Sequence, residues 1–249
     1  MVKAVAFVAG ASLLAYASTS WWSVAYTDKV AERASPILSF SMLFGSRSSL
    51  NWATHDEQAE RLHRGMDRLS GMLQFAPAPV RDFLLRTYVS ASRAYLALPE
   101  YQQAVIPILA VEVGVLGAWL LAPGLGTTVW MLRYFTHRPA SGRVLTLFTS
   151  VLSHRSLAHF ALNNLALWSV GSGALLALPS SGMPEASSLP HFLAFFATAG
   201  MCASLASHLA IATRWRLART RLDKMLLRRR ASLGAVSYTH LTLPTIYSV

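Results

Sequence analysis

The sequence predicts an all-α polytopic membrane protein, on three observations. Of 249 residues, 53% are hydrophobic and only 13% are charged, about half the charged share of a soluble domain. Four stretches are apolar over the length that a helix needs to span a bilayer, roughly 20 residues. The basic residues segregate along the chain, so that one orientation of those four spans puts every basic cluster on the same side of the membrane.

The first span is expected from Ala4 to about Val24, inside an N-terminal segment of residues 1–25. Lys3, the apolar run and Ala15-Tyr16-Ala17 also fit a secretory signal peptide with its small-residue cleavage site. The run continues past that site through Trp21 and Trp22, as an interfacial aromatic belt would. Residues 26–103 then form a loop carrying nearly balanced charge, nine Lys/Arg against eight Asp/Glu. Two amphipathic stripes with a 3.6-residue period cross it. Leu62, Met66, Leu69 and Leu73 make the first; Val80, Leu84, Tyr88, Ala91 and Tyr95, entered through Pro79, make the second. Both suit helices that lie on the membrane surface or pack on the bundle.

The second span is expected over Ala104–Ala122, with Glu112 in its middle. An ionisable residue at membrane depth is a functional flag. A protonated or hydrogen-bonded carboxyl facing the bundle is the plainer role. The third span is expected over Leu157–Leu178, stopped by Pro179, and the fourth over Leu189–Ala212. The single Cys202 lies in the fourth span and excludes an intrachain disulfide.

The net charge of +11 gives the orientation. Arg133, Arg138, Arg143 and Arg155 follow the second span. Arg214, Arg216, Arg219, Arg221, Lys224, Arg228, Arg229 and Arg230 follow the fourth, and Lys3 precedes the first. The N-terminus and the 123–156 and 213–231 loops therefore belong on the basic-retaining side, and the 22–104 loop on the other. Leu222, Met225 and Leu226, with Trp215, interleave with the last cluster at helical spacing. That pattern fits an interfacial helix against lipid headgroups better than a nucleic-acid surface.

Chemistry concentrates in Ser153-His-Arg-Ser-Leu-Ala-His159-Phe-Ala-Leu-Asn163. The i,i+4 spacing puts His159 and Asn163 on one helix face. Two donors converging at one dry point are what an oxyanion hole requires. Residue types alone favour a different role, a structural hydrogen bond between helices.

The surrounding blocks change that balance. Arg133-Tyr-Phe-Thr-His-Arg-Pro-Ala-Ser141, the His154–Asn163 run, Leu167-Trp168-Ser169 and Ser232-Leu-Gly-Ala235 together resemble the rhomboid intramembrane serine proteases. The mitochondrial, presenilin-associated rhomboid-like branch is the most similar. The resemblance covers residues 104–235; residues 1–103 fit by layout only. It implies a rhomboid-like helical bundle, here incomplete: about four spans, one extra N-terminal span plus the first three core helices. It implies a serine nucleophile in a Gly-x-Ser-Gly motif and a histidine base two helices later. His159 and Asn163 take the oxyanion hole, His154 supports the first loop, and Gly234 gives close backbone approach. Substrates are single-span transmembrane proteins within a lipid bilayer. No cofactor, metal or nucleic acid is implied. The branch places the protein in the mitochondrial inner membrane, with the basic loops in the matrix.

The match breaks where the nucleophile belongs. The family pattern Ser-Leu-Gly-Ala-Ser-Gly is here Ser232-Leu-Gly-Ala-Val236-Ser237. Valine has no nucleophilic atom, and Ser237 sits about 100° round the helix from that position. Residues 236–249, interrupted by Pro244, have the character of translated adapter read-through and are expected to be an artefactual tail. His240, three residues from Ser237, is no catalytic base. A protease fragment, inactive as written, is the expectation. A non-catalytic rhomboid-like protein that binds transmembrane helices is the alternative, and a membrane-anchored scaffold built on the 22–104 loop is a third.

Overall fold

The computed structural model describes residues 1–38, 47–154, 156–177 and 185–229. Among them the regular elements are all helical and no strand occurs. The first are α1 (Val2–Leu38), α2 (Arg47–Met72), α3 (Ala78–Leu96), α4 (Glu100–Gln103), α5 (Ile106–Leu121) and α6 (Thr128–Tyr134). A 3-10 turn (Pro139–Ser141) leads to α7 (Thr146–Thr149) and α8 (Leu157–Ala166). A π-turn (Leu167–Gly171), α9 (Ser172–Ala177), α10 (Leu189–Leu217) and α11 (Arg221–Arg229) complete the series.

Three helices are long and apolar enough to cross a membrane: Val2–Arg33, Glu100–Leu121 and Leu189–Leu217. They coincide with the first, second and fourth expected spans. The first is longer than expected, since neither Gly nor Pro interrupts the chain between Trp22 and Arg33 and α1 runs on to Leu38. The third expected span is not one regular helix. It runs as α8, then the π-turn, then α9, and its end at 178 falls outside the described residues.

The described chain forms two compact units. One takes residues 1–19, 106–171 and the chain from 191 onward; the other takes residues 20–105 and 172–190. In the first unit, Ala4 and Val8 of α1 pack with Leu147 of α7 and Met201 of α10. Gly200 is required there, because a Cβ at that position would lie 2.5 Å from Cγ1 of Val151. Small residues let helices approach closely where lipid supplies no hydrophobic drive. A second cluster joins Trp119 of α5 to Ala122 and Met131 of α6. The Trp119 indole N–H donates to Ser153 Oγ at 2.7 Å, tying α5 to the chain that enters α8. The Thr149 hydroxyl donates to the Tyr134 carbonyl, fixing α7 against the end of α6.

In the second unit α2 and α3 pack together, and Tyr88 OH donates to the Leu62 carbonyl at 2.8 Å. Leu62, Met66, Leu69 and Leu73 are half-buried. On α3 the packed face is rotated from the expected stripe. Tyr88 and Tyr95 are half-buried together with Leu85, whereas Val80, Leu84 and Ala91 are exposed. Phe83, also exposed, joins Val80 and Leu84 on this outer face. The helix is apolar on two sides, so its period also fits a stripe that only partly packs. Glu57 of α2 is the electrostatic hub of this unit. It is almost fully covered, by Lys29 (2.8 Å), Arg33, Arg61 (3.7 Å) and Arg64 (3.9 Å), all of which stay about half-exposed. The hydrogen bond from Lys29 holds its carboxyl below the usual carboxylate range, against a smaller opposing effect of burial.

Candidate functional site

Site geometry starts at the entry to α8. Ser156, in extended conformation, opens the helix. His154 lies just before it, and His159 and Asn163 follow at one-turn spacing. The His154 ring is buried and meets His159 edge-on, with centroids 5.2 Å apart. Phe160 closes another side at 5.9 Å. His159 is half-buried and Asn163 is buried. The structure therefore brings His154 against His159 in the first unit, with Asn163 one turn further along α8.

Glu112 joins them from α5. Its Oε2 stands 3.9 Å from His154 Nδ1, with both side chains nearly inaccessible to solvent. That separation exceeds a hydrogen bond. The Glu112 carboxyl is hydrogen-bonded by the side chain of Asn164, whose amide N–H also donates to the Phe160 carbonyl at 2.9 Å. Of the two roles weighed for Glu112, the structure gives the plainer one, a hydrogen-bonded carboxyl inside the bundle. It also puts that carboxyl beside a site histidine, which sequence did not foresee.

Electrostatics keep His154 uncharged. Burial, reinforced by neighbouring His159, pushes its pKa down to about 4, so at neutral pH the ring offers one donor and one acceptor. Neither ring nitrogen finds a hydrogen-bond partner among the described residues, nor do Glu112 Oε2 and Asn163 Nδ2. Buried polar atoms are nearly always paired. Three of these atoms belong to the His154–Glu112 pair, and the fourth sits on α8 one turn beyond His159. Asn163 Nδ2 is the chemically telling one, because a prearranged and otherwise unused donor can meet an oxyanion without first breaking another bond. Among the described residues no cluster of His, Cys, Asp and Glu has an arrangement that could hold a metal ion.

Gly234 and Val236 lie outside the described residues, as do the whole Ser232–Ala235 block and the tail beyond it. No geometry therefore connects the nucleophile position to α8.

A second polar node was missed from sequence. His137 Nδ1 pairs with Thr146 Oγ1 at 2.9 Å, and His137 Nε2 pairs with His208 Nδ1 of α10 at 3.0 Å. Thr146 Oγ1 also donates to the Arg143 carbonyl at 2.8 Å, so in the first pairing it accepts and His137 Nδ1–H donates. Burial, with His208 beside it, pushes the His137 pKa down to about 4. The signal was present: His208 is an ionisable residue within an apolar span, as Glu112 is. Its partner 71 residues away was not legible. Comparison of the chain with protein-family models, with curated proteins and with solved structures finds no match in any of the three.

Proposed function

We propose that this chain carries the oxyanion-stabilising half of a rhomboid-type intramembrane serine endopeptidase whose substrates are single-span membrane proteins. The observation that supports this most is the buried, unpaired Nδ2 of Asn163, one helical turn beyond His159. In acyl transfer, attack on a peptide carbonyl puts negative charge on its oxygen. A fixed donor aimed at that oxygen is worth on the order of 3 kcal/mol of transition-state stabilisation. His159 and Asn163 are assigned that role, and His154 is assigned to holding the loop before α8. Gly234 would allow close backbone approach, and position 236 is where the nucleophile belongs. Valine there supplies no attacking atom, so the chain as written is not expected to cleave.

The site would open toward the basic side, because the 123–156 and 213–231 loops flank it. With the resemblance to the mitochondrial branch, that side is the matrix face of the inner membrane. The alternative reading, a rhomboid-like protein that binds transmembrane helices without cutting them, has one specific observation in its favour, Val236 itself. The transcript sequence across codon 236 separates the two. Protease function predicts Ser-Gly followed by further apolar helices. A genuine valine followed by such helices would rule out the protease function.

A further inference from the structure

An open cavity that the protease reading does not use lies between the end of α10, α11 and the 3-10 turn. It has a volume of about 660 Å³, within the first unit, and His208, Trp215, Arg216, Arg221, Lys224 and Met225 contribute to its lining. The volume falls in the range of sites that hold one small molecule. Three lining side chains are permanent cations. The one carboxylate in residues 213–229, Asp223, is not among the lining residues. It accepts from the Thr220 hydroxyl at 2.6 Å, and its own backbone N–H donates back to that hydroxyl at 3.0 Å, a reciprocal cap at the start of α11. The cavity therefore keeps an uncompensated positive charge.

Met225, which lines the cavity, belongs to an apolar strip of α11. Leu222, Met225 and Leu226 of α11 are all exposed and follow one another at helical spacing. Trp215 is half-exposed at the end of α10, with Lys224 Nζ 5.6 Å from its ring centroid. A tryptophan at the end of an apolar span marks the level of the lipid headgroups. A helix with one apolar stripe beside cations lies in that interface, the stripe toward the acyl chains. Cations, headgroup depth and an adjoining apolar strip together define a ligand with a phosphate head and long hydrocarbon tails.

We propose that this cavity is a binding site for one anionic phospholipid of the bilayer. Arg216, Arg221 and Lys224 hold its phosphate, and the Leu222–Met225–Leu226 strip lies along its acyl chains. Arginine and lysine form short, charge-assisted hydrogen bonds to phosphate oxygens. This goes beyond the diffuse attraction that any basic loop feels toward a membrane, because the three cations line one defined cavity.

The test uses the full chain reconstituted in phosphatidylcholine vesicles, with Trp215 as reporter. Brominated phosphatidylglycerol should quench fluorescence more than brominated phosphatidylcholine at equal mole fraction, and the excess should vanish in Trp215→Phe. The preference should fall at least about tenfold further in R216Q/R221Q/K224Q than in R143Q/R214Q/R219Q, which loses the same charge outside the cavity, because only the first set loses fixed hydrogen bonds as well as diffuse attraction. R216K/R221K should keep most of the preference. Equal losses in the two neutralised proteins would overturn the proposal in favour of diffuse electrostatics. Displacement of the lipid by excess inorganic phosphate would overturn it in favour of a soluble anion. If the first neutralised protein does not fold, absence of any excess quenching in the wild-type chain overturns it equally.

Discussion

Replacing Asn163 by leucine should make the folded protein more stable. Its Nδ2 is buried without a hydrogen-bond partner among the described residues, and an unmade buried donor costs about 1–3 kcal/mol. Leucine removes that cost, branches at the same carbon, and is favoured over asparagine in helix interiors by about 0.5 kcal/mol. Against this stands loss of whatever Oδ1 contributes, about 1 kcal/mol for an ordinary hydrogen bond. The net expectation is stabilisation of about 1 kcal/mol, read as a Tm rise of roughly 2–4 °C for a chain of this size. Thermal unfolding of the purified chain in a mild detergent measures it. Asn163→Ala, which leaves a small void, should be close to neutral. If Asn163 instead joins helices by a hydrogen bond, both variants lose about 1 kcal/mol. A Tm drop of 2 °C or more in both would refute the view that this donor is held in reserve for a transition state.

Three further outcomes follow from the structure. Glu57→Gln should destabilise the second unit by about 1–2 kcal/mol, discounted because its cationic partners are half-exposed, and the effect should shrink in high salt. The Glu57 carboxyl titrates below its ordinary value of 4.5, so its contribution is complete above that value and is lost as pH falls through the depressed one. Burial lowers His137 and His154 from 6.5 to about 4. The unfolded chain therefore takes up protons first, and stability should fall between pH 6.5 and 4 by at most about 3 kcal/mol for each histidine. Unfolding followed from pH 7.5 to 4.5 checks this, and a flat profile counts against the buried placement of both rings. Gly200→Ala should cost about 1–3 kcal/mol by forcing a methyl against Val151, with partial recovery in the double variant carrying Val151→Ala.

The helices were legible wherever one signal dominated. The spans within α5 and α10 are long apolar runs, and α2 carries a single stripe on a charged background. Apolar residues on two sides of α3 let its period select a stripe rotated from the face that packs. Leu85 packs inward while Val80, Phe83 and Leu84 remain on the surface. The third expected span has the composition of a continuous helix, and nothing in its residue types announces the π-turn over Leu167–Gly171. Site residues on one helix, His159 and Asn163, follow from spacing alone. Contacts between helices do not. Glu112 beside His154, and His137 against His208, bring together residues far apart in the chain. Sequence could flag each as a costly ionisable group in an apolar setting, without saying which would meet.

The most direct measurement of the proposed activity is cleavage of a single-span membrane substrate by the product of the complete transcript, carrying serine or alanine at position 236. Cleavage should appear with serine at 236 and be absent with alanine there. It should fall about 10²–10³-fold in Asn163→Ala without loss of folded protein, the magnitude typical of one oxyanion donor. Equal cleavage with serine and alanine at 236, or full activity in Asn163→Ala, would contradict the assignment.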